Sequence, residues 1–264
     1  MTEQQRFLDE MAATQAHNLE WFRQVVGPSW QSVSSVIELC DVLLASWEKS
    51  GIRMREERVR ALTALIHGAK RAGSTAILSL GRGQWLEAQP QFRRYVECFG
   101  FARIAWAHED DAMTWLNGVR DAEAYDAYRN RFGKLLPKAL KALDRSVYDA
   151  YDRFSKATHS SFLSMQHTMS IGNDEHTWEL RVHYFDVMGV QDTAAYVSSF
   201  VEAVRTLLIC QESFALRTFG TPEWKPSLEH WAAAGQPVIK EWLDLEGTLL
   251  HRVGLREPPV APGN

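Results

Sequence analysis

In the stretch RFSKATHSSF, Arg153 to Phe162, an arginine, a lysine, a histidine and four hydroxyl side chains fall within ten residues. Just upstream, Tyr148, Asp152, Ser155 and His159 are spaced at four, three and four, which on a helix aligns their polar groups in one row. Such a row has the parts of acid–base chemistry: a carboxylate to orient a partner and an imidazole, the side chain whose ordinary pKa lies nearest neutrality. The plainer reading is a helix end, with Ser155 bonded to a helix carbonyl and His159 closing the last turn with Ser160 or Ser161. A serine hydrolase does not fit, because a serine and a histidine one turn apart on a helix make neither an exposed nucleophile nor an oxyanion hole. The sequence also has no GxSxG elbow.

Other groupings have weaker chemistry. Glu87, Arg94 and Glu97 occupy neighbouring helical positions, and read either as buried ion pairing or as a carboxylate-lined ligand pocket. His159, His167, His176 and His183 fall within 25 residues, but alternation puts His167 and His183 on opposite faces with His176 at a turn, so a shared metal is not expected. Gly81-Arg82-Gly83 is too short for a phosphate-cradling loop and no paired Glu-x-x-His motif occurs, so no cofactor and no metal are expected.

The elements that must position these residues are mostly helices. A first segment over about residues 3 to 26 ends at Gly27-Pro28, and Trp30, Val33, Ile37, Cys40, Leu44 and Trp47 recur at three and four as far as Ser50-Gly51. A third helix from about Met54 buries Val59, Leu62, Ile66 and Ala69, with Gly73 bending or ending it. After the GRG turn, Phe92, Tyr95, Phe99, Ala102 and Trp106 form the next stripe, with Pro90 as a kink or a first-turn residue. Residues 109 to 143 read as shorter pieces punctuated by Gly118, Gly133 and Pro137, and Asp144 is placed to cap the helix carrying Val147, Tyr151 and Phe154.

The period then changes. FLSMQHTMSI and TWELRVHYF alternate with a step of two around GNDE, so a β-hairpin is expected over about 163–171 and 177–185, lying against the helices. Matching apolar faces opposes Met169 to Trp178, His167 to Leu180 and Met165 to Val182. A long helix from about Asp192 to Thr218 and a last helical region, about Ser227 to Val253 with a break near Gly235-Gln236-Pro237, complete the chain. The expected fold class is mainly α: one helical domain over 1–256 comprising an N-terminal helical hairpin (1–50), a core bundle with the hairpin (52–219) and a C-terminal region (227–253), then a flexible tail, 257–264.

The spacing of Arg153 and His159, with five residues between, falls within the arginine-four-to-six-histidine pattern and so resembles HEPN domains, helical bundles that include metal-independent ribonucleases. FSKATHSS and the upstream RGQWLEAQPQFRRYVE are similar to signature segments of an uncharacterised family of bacterial helical proteins, and together they span about a third of the chain. The resemblance implies that Arg153 holds a scissile phosphate and His159 moves the proton of the attacking 2′-hydroxyl or the leaving oxygen. Tyr148, Asp152, Ser155, Lys156 and Ser161 would support it. It also implies RNA as substrate and a symmetric homodimer; a cognate protein partner is a separate expectation. Phe154 stands where the ribonucleases commonly carry a polar residue. Positions six apart on a straight helix point about 120° apart, so the pair can cooperate only if the helix ends near Thr158 or a second subunit completes the site.

Composition narrows the classes further. The chain of 264 residues carries ten tryptophans and twelve phenylalanines, enough for a large core, and a formal net charge of -4, which gives no general attraction to nucleic-acid backbones. Cys40, Cys98 and Cys210 are odd in number, far apart and set in apolar patterns, and are expected as reduced buried thiols. MTEQQRFLDEM does not resemble a signal peptide, and Arg205, Gln211 and Glu212 interrupt the most apolar helix, so the expected location is cytoplasmic, away from membranes. Three functions remain open: a HEPN-like endoribonuclease, a non-catalytic scaffold that binds a small ligand or a protein, and a metal-dependent enzyme.

Overall fold

The computed structural model describes residues 3–158, 169–174, 177–182 and 193–254. Nine α-helices form the body of these described residues: α1 (Glu3–Val26), α2 (Pro28–Trp47), α3 (Glu56–Gly81), α4 (Trp85–Ala107), α5 (Glu109–Asn117), α6 (Ala122–Leu143), α7 (Arg145–Thr158), α8 (Thr193–Phe219) and α9 (Lys225–Arg252). The most extensive packing is between α3 and α4, and α4 also meets α5, α6, α7 and α8, while α2 packs along α9. His159, Ser160, Ser161, His167, His176, His183 and the tail 257–264 lie outside the described residues.

The turn between α3 and α4 is set by its glycine. Gly83 has φ +76°, its N–H donates to Leu80 O at 3.1 Å and that of Gln84 donates to Ser79 O at 2.9 Å. This double closure needs a left-handed residue at its centre, which glycine adopts without a Cβ clash. The buried Asn18 of α1 donates from Nδ2 to Arg82 O at 3.0 Å, so α1 holds the turn and the direction in which α4 leaves it.

Several elements differ from the sequence expectation. α3 runs through Gly73, α6 through Gly133 and Pro137, and α9 through Gly235 and Pro237. A proline inside a helix removes one backbone hydrogen bond and crowds the preceding turn; in α6 that cost is offset by the burial of Phe132, Leu136, Leu140 and Leu143. Gly100 of α4 is where α6 comes closest: a Cβ there would lie 2.4 Å from Leu136 Cδ1. On α2 the buried face is Val33, Val36, Leu39, Cys40, Leu43 and Trp47, rotated slightly from the expected stripe because α2 is covered on more than one side. The Asp144 cap is formed, with Ser146 N–H donating to Asp144 Oδ1 at 2.7 Å.

The expected insertion of a β-hairpin over 163–171 and 177–185 into the bundle is overturned: among the described residues the body is helical and no strand takes part in it, while 163–168 and 183–185 lie outside the described residues. Extended pairing among the described residues is limited to a short ribbon, β1 (Met169–Asp174) with β2 (Thr177–Val182), which packs substantially against no described helix. It opposes Met169 to Val182, Ile171 to Leu180 and Asn173 to Trp178, four residues from the expected register. Face alternation has a period of two, so it cannot distinguish registers separated by an even number of residues.

α8 runs through the core, with Val197, Phe200, Val204, Leu207, Cys210 and Phe214 buried. By length and composition it could cross a bilayer, despite its interrupting polar residues; in this fold it packs against α2, α3, α4, α6, α7 and α9. Phe200 stands among Phe22 (5.3 Å between centroids), Trp30 (6.4 Å) and Trp242 (5.8 Å), joining four helices. The three cysteines are free and buried, and burial pushes the Cys40 and Cys98 thiols up to about 12 and Cys210 upward too.

The side chain of Glu246 on α9 is only 3% exposed and accepts from Arg205 Nε at 2.9 Å, from a second Arg205 nitrogen, and from Trp242 Nε1 at 3.1 Å. The pair is asymmetric, since the Arg205 side chain is 52% exposed. Removing the arginine strands a carboxylate in the core, whereas a neutral amide in place of Glu246 strands little. Arg205→Ala should therefore cost about 3 kcal/mol in urea unfolding, and Glu246→Gln about 1 kcal/mol.

Candidate functional site

A cavity of about 300 Å³ opens between the α3–α4 corner, the second half of α7 and the first half of α8. Leu80, Trp85, Phe92, Phe154, Ala157 and Ala203 make its apolar wall, and Gln89, Asp152, Arg153, Lys156, Ser199 and Glu202 supply the polar groups. Helical spacing explains the selection. Trp85, Gln89 and Phe92 lie at i, i+4 and i+7 on α4, and Asp152, Arg153, Lys156 and Ala157 at i, i+1, i+4 and i+5 on α7. Stacking of Phe92 on Phe154, at 5.3 Å and 23°, joins the two helices beneath the cavity.

The rim charges are paired. Lys156 Nζ lies 2.6 Å from Asp152 Oδ2 one turn earlier, and this hydrogen bond raises the Lys156 pKa. Arg153 forms an ion pair with Glu202 across the α7–α8 gap. Two cations and two carboxylates leave the rim formally neutral. These side chains are about half exposed, so solvent screens each pair and it can open at little cost.

Gln89 is different. It is 5% exposed, lines the cavity, and has no hydrogen-bond partner among the described residues. A buried carboxamide brings donors and an acceptor that need partners, and this one borders a largely apolar space able to hold a ligand.

The other expected site residues scatter. Tyr148 lies away from the cavity, its ring beneath Lys141 Nζ at 4.3 Å and near Arg145 Cζ at 5.4 Å. Ser155 does not bond to a helix carbonyl: its Oγ is buried with no partner, and Thr158 Oγ1 is the group that donates back, to Phe154 O at 2.6 Å. Glu87 is exposed. Glu97 pairs with Arg93 at 2.8 Å, and Arg93 lies over the Tyr151 ring, whereas Arg94 lines a separate cleft with Arg71 and Gln91. Glu87, Arg94 and Glu97 therefore make no common site. His159 and Ser161 lie outside the described residues, as does the histidine grouping; no cluster of three or more metal-ligating side chains occurs among the described residues.

Sequence reasoning missed Gln89, Ser199 and Glu202. A signal for Gln89 was present, because WLEAQPQF sets Trp85, Gln89 and Phe92 on one face and belongs to the upstream segment of the resemblance. That segment and RFSKAT line one cavity in the fold. Glu202 had no local signal, since its role comes from α8 packing beside α7. Compared with protein-family models, curated proteins and solved structures, the chain gives no match.

If Gln89 serves a ligand rather than the fold, replacing it with an apolar residue of similar size removes an amide that makes no hydrogen bond among the described residues. Gln89→Leu should leave unfolding stability unchanged or raise it by up to about 1 kcal/mol in urea titrations. A loss of about 2 kcal/mol would reveal a structural partner for the amide.

Proposed function

We propose that the protein is a small-ligand-binding helical protein whose ligand enters the α4–α7–α8 cavity and carries an apolar body with a neutral hydrogen-bonding head. The Gln89 side chain carries this reading, because it lies at the cavity wall, is 5% exposed and makes no hydrogen bond among the described residues. The walls supply apolar contact for the body, and Trp85, Phe92 and Phe154 offer ring faces. The self-paired rim favours a neutral head over a polyanion: a phosphate could use Arg153 only by displacing Glu202.

A HEPN-like, metal-independent endoribonuclease is the second reading. What favours it is that the Arg153–Glu202 pair at the cavity rim is about half exposed, so the guanidinium can be released at little cost. Arg153 would then leave Glu202 for the scissile phosphate and His159 would transfer the proton.

One set of measurements separates the readings. The neutral fluorophore N-phenyl-1-naphthylamine should bind saturably, and Ala203→Phe, which fills the cavity from α8, should weaken binding at least about tenfold while helix content by circular dichroism stays the same. Undiminished binding to a folded Ala203→Phe protein would sink the cavity reading. Incubation with total RNA in chelator tests the alternative: cleavage that disappears in both Arg153→Ala and His159→Ala selects the ribonuclease, and intact RNA discards it.

A further inference from the structure

On α4, α5 and α6 a second cleft of about 280 Å³ shares no lining residue with the first. Its walls are apolar, from Ile104, Ala107, Leu135, Ala139 and Ala142, while Arg103, His108, Arg131 and Lys138 bring nitrogen groups to it. Asp111 is its single acidic lining residue, and that carboxylate is already committed: buried, it accepts from Arg131 Nε at 2.6 Å and from a terminal Arg131 nitrogen at 3.2 Å.

Arg103 has no such partner. It is half-buried, makes no ion pair or hydrogen bond among the described residues, and has Arg217 nearby, whose Nε donates to Leu143 O at 3.3 Å. Burial first, and the Arg217 charge second, lower the Arg103 pKa. Lys138 likewise has no ion pair among the described residues. A guanidinium removed partly from water beside another cation, with no carboxylate to meet it, is in an unfavourable setting that an incoming anion would relieve.

We propose that this cleft binds a small organic carboxylate, its two oxygens on the Arg103 guanidinium with Lys138 at the rim and its carbon body against Ile104, Leu135 and Ala139. The planar fork of an arginine matches a carboxylate in a two-point contact, and the apolar wall excludes a bare inorganic anion as the best occupant. The volume, at the small end of ligand cavities, suits a single ring or short chain. The proximity of Asp111, though paired, favours one negative charge over two.

The test is fluorine NMR of 4-fluorobenzoate titrated with the full chain at constant ionic strength. Saturable broadening is expected, with 4-fluorobenzamide, of the same shape but uncharged, binding at least about tenfold more weakly. Arg103→Gln should lower benzoate affinity at least about tenfold and Lys138→Gln about threefold. Because Arg103 is unpaired, Arg103→Gln should melt at or above the wild-type temperature; should it fail to fold, the exposed Lys138→Gln variant carries the test. Saturating N-phenyl-1-naphthylamine should not displace the benzoate. The proposal is overturned by absence of saturable binding up to about 10 mM, by equal affinity for the amide, by unchanged affinity in both folded variants, or by displacement.

Discussion

The Tyr95 hydroxyl donates to Leu207 O at 2.9 Å, and the packing of the central helices depends on this buried bond. Leu207 lies inside α8, so its carbonyl serves a helix already, and its second lone pair takes the phenol of α4. Gly73 makes room for the ring: a Cβ there would stand 3.0 Å from Tyr95 Cδ2 and 3.3 Å from Leu207 Cδ2. Close by, Gln211 Nε2 donates to Val36 O at 2.8 Å and ties α8 to α2. Together with the Arg205–Glu246 pair on α9, these two buried polar bonds limit how far α8 can slide along its neighbours.

The first cavity lies one helical turn from that bond. Phe92 precedes Tyr95 by three residues and Ala203 precedes Leu207 by four, so the spacing and register of α4 and α8 at the cavity follow from the Tyr95–Leu207 contact. α7 is added by the Phe92–Phe154 stack, and its residues Asp152, Arg153 and Lys156 reach the rim for that reason. The chemistry of Arg153 changes with this placement. In sequence it is a cation next to the polar row; in the fold it is half of an ion pair with a carboxylate on another helix. Its charge is available only to a ligand that competes with Glu202.

The two clefts differ in how their charge is arranged. Around Gln89 every rim charge has an opposite charge nearby, and neutral groups, the Gln89 amide among them, are without a partner among the described residues. Around Arg103 the buried carboxylate is satisfied by Arg131, and a cation is the group without a partner. That contrast leads to a neutral hydrogen-bonding ligand for one and an anion for the other, because an unsatisfied buried group is the largest local free-energy term a ligand can change.

Much of the helical architecture was readable from the chain. Apolar residues at three and four, the Gly27-Pro28 break, the Asp144 cap and the glycine turn after α3 are local signals with local causes, and each marks a helix or helix end found in the structure. Pro137, Pro237 and Gly73 misled because a breaker's local cost is smaller than the burial gained along an uninterrupted helix, and that burial is invisible without the neighbouring helices. The register of β1 on β2 was missed because alternation is blind to an even slip. The sequence by itself determined a mainly α chain with a polar row on α7. Only the tertiary structure decided which members of that row share a cavity, that Arg153 meets Glu202 and that Gln89 and Arg103 are left without partners among the described residues, because pairing and burial depend on groups distant in sequence.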